Sequence, residues 1–190
     1  MIITNEHAML DNDFWCKIWE INFQESEKIR IIEQVSRNLN KRFIMHTLVY
    51  NNELLEKYKV KPIFDDGIVV IAQKEDILQE DSTLEEYYRR TFEDLYFELT
   101  GNSLYNGNYT NIWEEWIHGK SLGEVHCITT CCICECDLFL SDDEDSKTLS
   151  KLVKNIHDIT VHVWTREEML YEISKEGLNK RIRRSIGHKR

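Results

Sequence analysis

Divalent cations such as Mg²⁺ and Mn²⁺ take oxygen ligands and are usually held by carboxylates together with water. Three acidic positions in this sequence suit that chemistry. Glu53 lies on a predicted helix after the second strand. Glu124 opens the apolar helix of GEVHCITTCCICECDLFLSDDED. Asp142 and Asp143 follow the strand DLFL in the same stretch. A helix followed by a returning strand brings Glu124 and Asp142 to one edge of a sheet. There an open α/β fold builds its sites, beyond the carboxyl ends of its strands. Carboxylates gathered at that edge can orient one or two cations. Such cations lower the pKa of a bound water and neutralise charge building on a phosphoryl group. The plain alternative is a solvated acidic cap on the following helix, which the helix dipole favours.

The elements that must position these residues are short. Met1–Thr4 is read as a first strand ending at Asn5-Glu6-His7, and residues 10–40 as two helices with a break near 22–26. Arg42–His46 is the second strand, followed by a helix over 48–59 that carries Glu53. A turn at Asp65-Asp66-Gly67 leads into Ile68–Ala72, the cleanest β-branched run. A charged helical segment covers 74–100, and 101–111 is a turn-rich loop. Ile112–His118 reads as a short aromatic helix, and Ser121 begins the helix bearing Glu124. Asp137–Leu140 is a strand, 145–155 a helix, and Thr160–Trp164 a last strand. Thr165 and Glu168 form a capping box for a final helix. Alternating strands and helices predict an α/β, three-layer sandwich with a central, mostly parallel sheet flanked by helices. One domain is expected over 1–178, with a basic tail over 179–190.

The resulting charge balance narrows the partners. With 34 acidic and 24 basic residues the formal net charge is -10. That suits non-specific duplex binding poorly, because such binding relies on phosphate neutralisation by Lys and Arg. No helix-turn-helix with a basic recognition helix stands out. The tail NKRIRRSIGHKR is the exception in sign, and Lys180, Arg181, Arg183 and Arg184 are its expected nucleic-acid contacts. No apolar run reaches membrane-span length, and no export signal is visible at the start, so no membrane association is expected and the cytoplasm is the expected compartment.

Five of six cysteines crowd between Cys127 and Cys136. Their C-x3-C-C-x-C-x-C spacing does not match a zinc ribbon, which needs two separated pairs on turns. Cys127, Cys131 and Cys134 share a helical face, and reduced thiols packed in the core are the expectation. His46, His118, His126 and His157 follow no ligand spacing and are expected to be structural or surface residues. Trp113 and Trp116, with Tyr105 and Tyr109, have two readings: stacking of single-stranded bases, or a core edge and protein interface.

GEVHCITTCCICECDLFLSDDEDSKTLSKLV followed by ITVHVWTREEML resembles the C-terminal half of a PIN domain. FIMHTLVYNNELL resembles the segment carrying that family's helical glutamate, and GIVVIAQKEDI its next strand. PIN domains are small α/β proteins, many of them Mg²⁺/Mn²⁺-dependent ribonucleases and many of those toxins of toxin–antitoxin pairs. The resemblance implies catalytic roles for Glu53, Glu124, Asp142 and Asp143. It implies metal ligation by Glu53, Glu124 and Asp142, with Asp143 or Asp145 in support, and orientation of the neighbouring acid by Ser141. The expected cofactor is Mg²⁺ or Mn²⁺. The expected partners are an RNA substrate and an antitoxin or other protein, with homo-oligomers also in keeping.

The departure from the family is at the front. Its first strand usually ends in Asp-Thr-Asn, and MIITNEHAML places Asn5 at that aspartate and His7 at the asparagine. Asn5 would offer a neutral carbonyl oxygen that orients substrate but binds metal weakly. Glu6 and Asp11 are nearby acids, with Glu6 on the opposite side of a continuing strand. A second expectation therefore stands beside the ribonuclease: a PIN-like protein, weakened or inactive, serving as an interaction or regulatory module.

Overall fold

The residues that form strands here are short, mostly apolar runs, largely buried in the central strands and partly exposed at the two edges, the pattern of a parallel sheet covered by helices. A computed structural model describes residues 1–19, 24–54, 64, 67–103, 111–113 and 121–174. Its strands are β1 (His7–Leu10), β2 (Arg42–His46), β3 (Val69–Ala72), β4 (Leu138–Leu140) and β5 (His162–Trp164). They form one sheet in the order β3-β2-β1-β4-β5, and every neighbouring pair is parallel. The helices are α1 (Asn12–Trp19), α2 (Glu25–Leu39), α3 (Thr47–Val49), α4 (Lys74–Leu78), α5 (Ser82–Thr100), α6 (Leu122–Ile133), α7 (Glu144–His157) and α8 (Arg166–Ser174). A single π turn, Tyr50–Leu54, extends α3. The molecule is thus the expected α/β sandwich, with a central sheet that is parallel throughout.

Two helices show how sequence sets their place. α2 presents Ile31, Ile32 and Val35 on one buried stripe, the spacing of a helix with one wet face. α6 is buried from Val125 through Cys132 with no wet side. Its Cys and Thr side chains are small enough to let α5, α7, β1, β2 and β4 all reach it. All six cysteines are buried and none is bridged. Burial pushes the Cys132 and Cys134 thiols up to about 12, as inert core thiols should be. No helix among the described residues is long and apolar enough to cross a membrane.

The first strand is not where the sequence suggested. Met1–Thr4 is not a strand; His7–Leu10 is, and all four of its residues are buried. MIIT has the stronger β-branched content, whereas HAML reads locally as helix. Burial between β2 and β4 overrides that preference, as strand propensity commonly yields to context. Asn5 therefore precedes β1, at the opposite end of the sheet from the carboxyl edge. Its carbonyl accepts from Lys41, which also pairs with Asp137 at 2.6 Å.

The helical segment over 74–100 is divided. Gln79 and Glu80 take left-handed backbone with φ of 50° and 57°. Asp81 then caps α5 by accepting from the Thr83 and Leu84 amides at 2.7 and 3.2 Å. The helix expected over 48–59 is α3 with its π turn as far as Leu54. Its remainder, the turn at Asp65-Asp66, Tyr105, Tyr109, Trp116, His118 and the tail with Lys180, Arg181, Arg183 and Arg184 lie outside the described residues.

Candidate active site

β1 is flanked by β2 on one side and β4 on the other, so the chain order reverses direction beside β1. Crevices at such a switch point open beyond the carboxyl ends of the strands. Asp11 is the first residue past β1, and its amide donates to the Leu140 carbonyl of β4 at 3.0 Å. Its side chain is only 4% exposed. One carboxylate oxygen accepts from the Asn12 amide at 2.7 Å and the other from the Ser141 hydroxyl at 2.8 Å. Ser141 follows β4, is fully buried, and also accepts from the Asp143 amide at 3.1 Å. Ser146 lies 2.9 Å from the same oxygen. One hydroxyl thus ties the ends of β1 and β4 to the start of α7. We expect Ser141→Ala to destabilise the fold by about 1–2 kcal/mol, the cost of stranding buried polar partners. An unchanged urea midpoint would remove that role.

Glu53 reaches the same crevice from the π turn after β2. Asn12 donates its amide to Glu53 at 2.8 Å while its carbonyl oxygen accepts from the Cys16 thiol at 2.9 Å. Those two bonds fix which way the Asn12 amide faces. Glu124, half-buried in the first turn of α6, completes the group. Asp143 caps α7 by accepting from the Asp145 amide at 2.8 Å, and Asp145 accepts from the Ser121 hydroxyl at 2.6 Å.

The electrostatics show that these acids face one another. Burial pushes the Asp11 carboxyl up to about 8, and the nearby Glu124 and Glu53 carboxylates push the same way, while the Ser141 hydrogen bond opposes them. Burial also raises Glu124 to about 7, with Asp143, Glu53 and Asp145 adding to it. Asp11 and Glu124 are thus both made harder to ionise by burial and by neighbouring carboxylates. The donors are all hard oxygens. Among the described residues, no three His, Cys, Asp or Glu side chains converge closely enough to close a ligand cage.

The residues predicted from sequence thus divide. Glu53, Glu124, Asp143, Asp145 and Ser141 gather at the switch point. Asp142 is engaged differently: the Arg166 guanidinium and amide and the Lys17 ammonium all reach its carboxylate, the last two at 2.9 and 3.4 Å. Consecutive residues leaving a strand point to opposite sides, so only one of Asp142 and Asp143 can readily face the pocket. Asn5 is absent from the site because β1 begins beyond it. Asp11, named from sequence only as a nearby acid, and Asn12 are the site residues to which sequence reasoning gave no role. The available signal was an apolar run, Ala8-Met9-Leu10, ending in Asp-Asn at a helix start.

Behind the pocket, β2 and α6 are joined by a buried polar cluster. The Tyr88 hydroxyl of α5 lies 3.3 Å from His46 Nε2, 3.0 Å from His126 Nδ1 and 3.3 Å from Thr130 Oγ1. His46 Nδ1 accepts from the Leu48 amide at 3.2 Å, so its proton sits on Nε2 and points at Tyr88. His126 also bonds to the Ile112 backbone, and its own carbonyl lies 3.2 Å from the Tyr88 hydroxyl. Burial drives His46 down to about 3 and His126 well below its ordinary value, so both rings are neutral. Trp113 stacks on His46 with ring centres 5.4 Å apart, and Lys74 sits 5.7 Å over the Trp113 ring. Trp113, His46 and His126 are therefore part of the core and its edge.

Comparison with protein-family models, curated proteins and solved structures gives no match to this chain.

Proposed function

We propose that this chain is a PIN-like, Mg²⁺- or Mn²⁺-dependent ribonuclease that hydrolyses RNA phosphodiester bonds. The observation that carries the reading is Asp11: a carboxyl buried at the switch point, held by Ser141 and raised to about 8 in the company of Glu124 and Glu53. Asp11, Glu53, Glu124 and Asp143 are the residues that would hold the cation, with Asp145 behind them. The cation, when bound, supplies an activated water and charge neutralisation at phosphorus. Asn12 keeps Glu53 turned toward the pocket, and Ser141 keeps Asp11 there. Glu124, raised to about 7 in the metal-free protein, would give up its proton on holding the cation. In this reading the toxin of a toxin–antitoxin pair is the setting the resemblance implies, and an antitoxin its protein partner.

Titration with Mn²⁺, followed by calorimetry and by cleavage of a labelled RNA, tests the reading. We expect a site whose affinity falls at least tenfold in Glu124→Gln, with cleavage falling in parallel. If neither metal binds and no RNA is cut, the enzyme reading is wrong. The loosely gathered carboxylates then favour the second reading, a PIN-like interaction module whose acidic pocket does no chemistry.

A further inference from the structure

α7 begins at the acidic pocket and runs away from it, and along one side it carries lysines at helical spacing. Lys147, Lys151 and Lys154 fall at i, i+4 and i+7, within one narrow stripe. The stripe ends at an open groove of about 510 Å³ between the last turns of α7 and the start of β5. Lys151, Lys154, Asn155, Thr160 and His162 line it, and no Asp or Glu does. In a chain with a formal net charge of -10, a groove without a carboxylate is a local reversal of sign. Lys154 pairs with Asp158 at 2.7 Å and Lys147 more loosely with Glu168 at 3.7 Å. Among the described residues, no carboxylate lies within ion-pair distance of Lys151. At the head of the stripe stand Arg166 and Lys17, both gathered on Asp142 beside the pocket.

We infer that this stripe and groove are a track for the backbone of a single-stranded RNA as it leaves the acidic site, an inference that rests on the ribonuclease reading. From Asp145 to Lys154 the helix rises about 14 Å at 1.5 Å per residue, a distance that a few nucleotides span. Successive phosphates meet Arg166 and Lys17, then Lys147, then Lys151 and Lys154, with Asn155, Thr160 and His162 offering hydrogen bonds at the far end. A peptide adding to the sheet edge fits less well. β5 has only three residues, and the Val161 carbonyl already accepts from the Ser150 hydroxyl at 2.6 Å, so one acceptor of a sixth strand is taken.

The test uses the full chain, without added metal, and fluorescence anisotropy of labelled oligouridylates of twelve and three nucleotides over a range of salt. The Lys151→Glu/Lys154→Glu variant should bind the long strand at least tenfold more weakly. Its salt dependence should fall by about 1.4, from two lost contacts at roughly 0.7 each. The trinucleotide, which can meet only a few of these cations at once, should bind weakly to both proteins. Lys151→Gln/Lys154→Gln should give an intermediate loss, and thermal melting of each variant separates binding from folding. Asp158→Asn, which frees Lys154 while keeping every lysine, should tighten binding. Unchanged affinity and salt slope in the Lys→Glu variant overturn the track. So does binding of polyglutamate that depends on the two lysines while RNA binding does not. Lysine-dependent RNA binding without cleavage under Mg²⁺ or Mn²⁺ leaves the track standing and removes the nuclease.

Discussion

Asp11→Asn is expected to abolish metal-dependent cleavage while making the metal-free protein more stable at neutral pH. The two effects share one cause. Asp11 has a folded pKa of about 8 against an ordinary 3.8. Because the folded value is raised, its contribution to stability is fully present below pH 3.8 and is lost as the pH rises through about 8. An amide at this position carries no such penalty. In the metal-free protein the variant should gain on the order of 3 kcal/mol at pH 7, less about 1 kcal/mol for an imperfect partner to Ser141. The gain should vanish near pH 4. In the same variant, cleavage with Mn²⁺ should fall by about two orders of magnitude or more, roughly 3 kcal/mol of transition-state stabilisation. Urea unfolding of both proteins from pH 4 to 9 reads Asp11 together with its coupling to Glu124 and Glu53, because groups not coupled to Asp11 cancel in the difference. A variant less stable than the parent throughout that range would mean that the carboxyl is not under repulsion.

Tyr88→Phe should instead destabilise the protein, by an effect of similar size. Removing one oxygen takes away the hydroxyl that lies 3.3 Å from His46 Nε2, 3.0 Å from His126 Nδ1 and 3.2 Å from the His126 carbonyl, all inside the core. A stranded buried polar group costs about 1–3 kcal/mol, so roughly 2–3 kcal/mol is expected for the variant. That corresponds to a fall in Tm of about 5–10 °C for a chain of this size. The pH dependence identifies the mechanism. His46 and His126 have depressed folded values, so their contribution is present above 6.5 and is lost as the pH falls toward 3 for His46. Tyr88→Phe should make acid unfolding begin at higher pH. If it melts like the parent, the hydroxyl is not the link between β2, α5 and α6.

Much of the frame was legible from residue pattern. Arg42–His46 was read with its observed bounds, and β3, β4 and β5 within two residues at their starts. These strands are bounded by turn residues and rich in β-branched or aromatic side chains, which reports burial directly. The Thr165 box was equally legible. Glu168 accepts from the Thr165 amide at 2.8 Å, and the Glu168 amide donates back to the Thr165 hydroxyl at 3.2 Å. β1 was not legible, because Ala, Met and Leu favour a helix when read locally and only the neighbouring strands make them a strand. One misplaced strand carried the site with it. It set Asn5 at the end of the first strand, where the structure has Asp11, and so suggested a missing acid. The division between Asp142 and Asp143 was hidden for another reason. It depends on Arg166 and Lys17, which are distant in sequence and meet Asp142 only after the sheet forms.

The placement of β1 also bears on how the protein is made. Its register partners are Arg42–Met45 on one side and Leu138–Leu140 on the other. A ribosome adding about 5–20 residues each second therefore delivers β4 many seconds after β1. Until then β1 has one bare edge, and Asp11 has neither Ser141 nor the Leu140 carbonyl. Pairings so far apart in sequence are slow and leave strand edges open meanwhile. The nascent chain therefore carries Asp11 unassembled until β4 has been made, and the pocket closes only when β4 docks. Any hydrolytic capacity would be withheld from the growing chain by the order of its own strands.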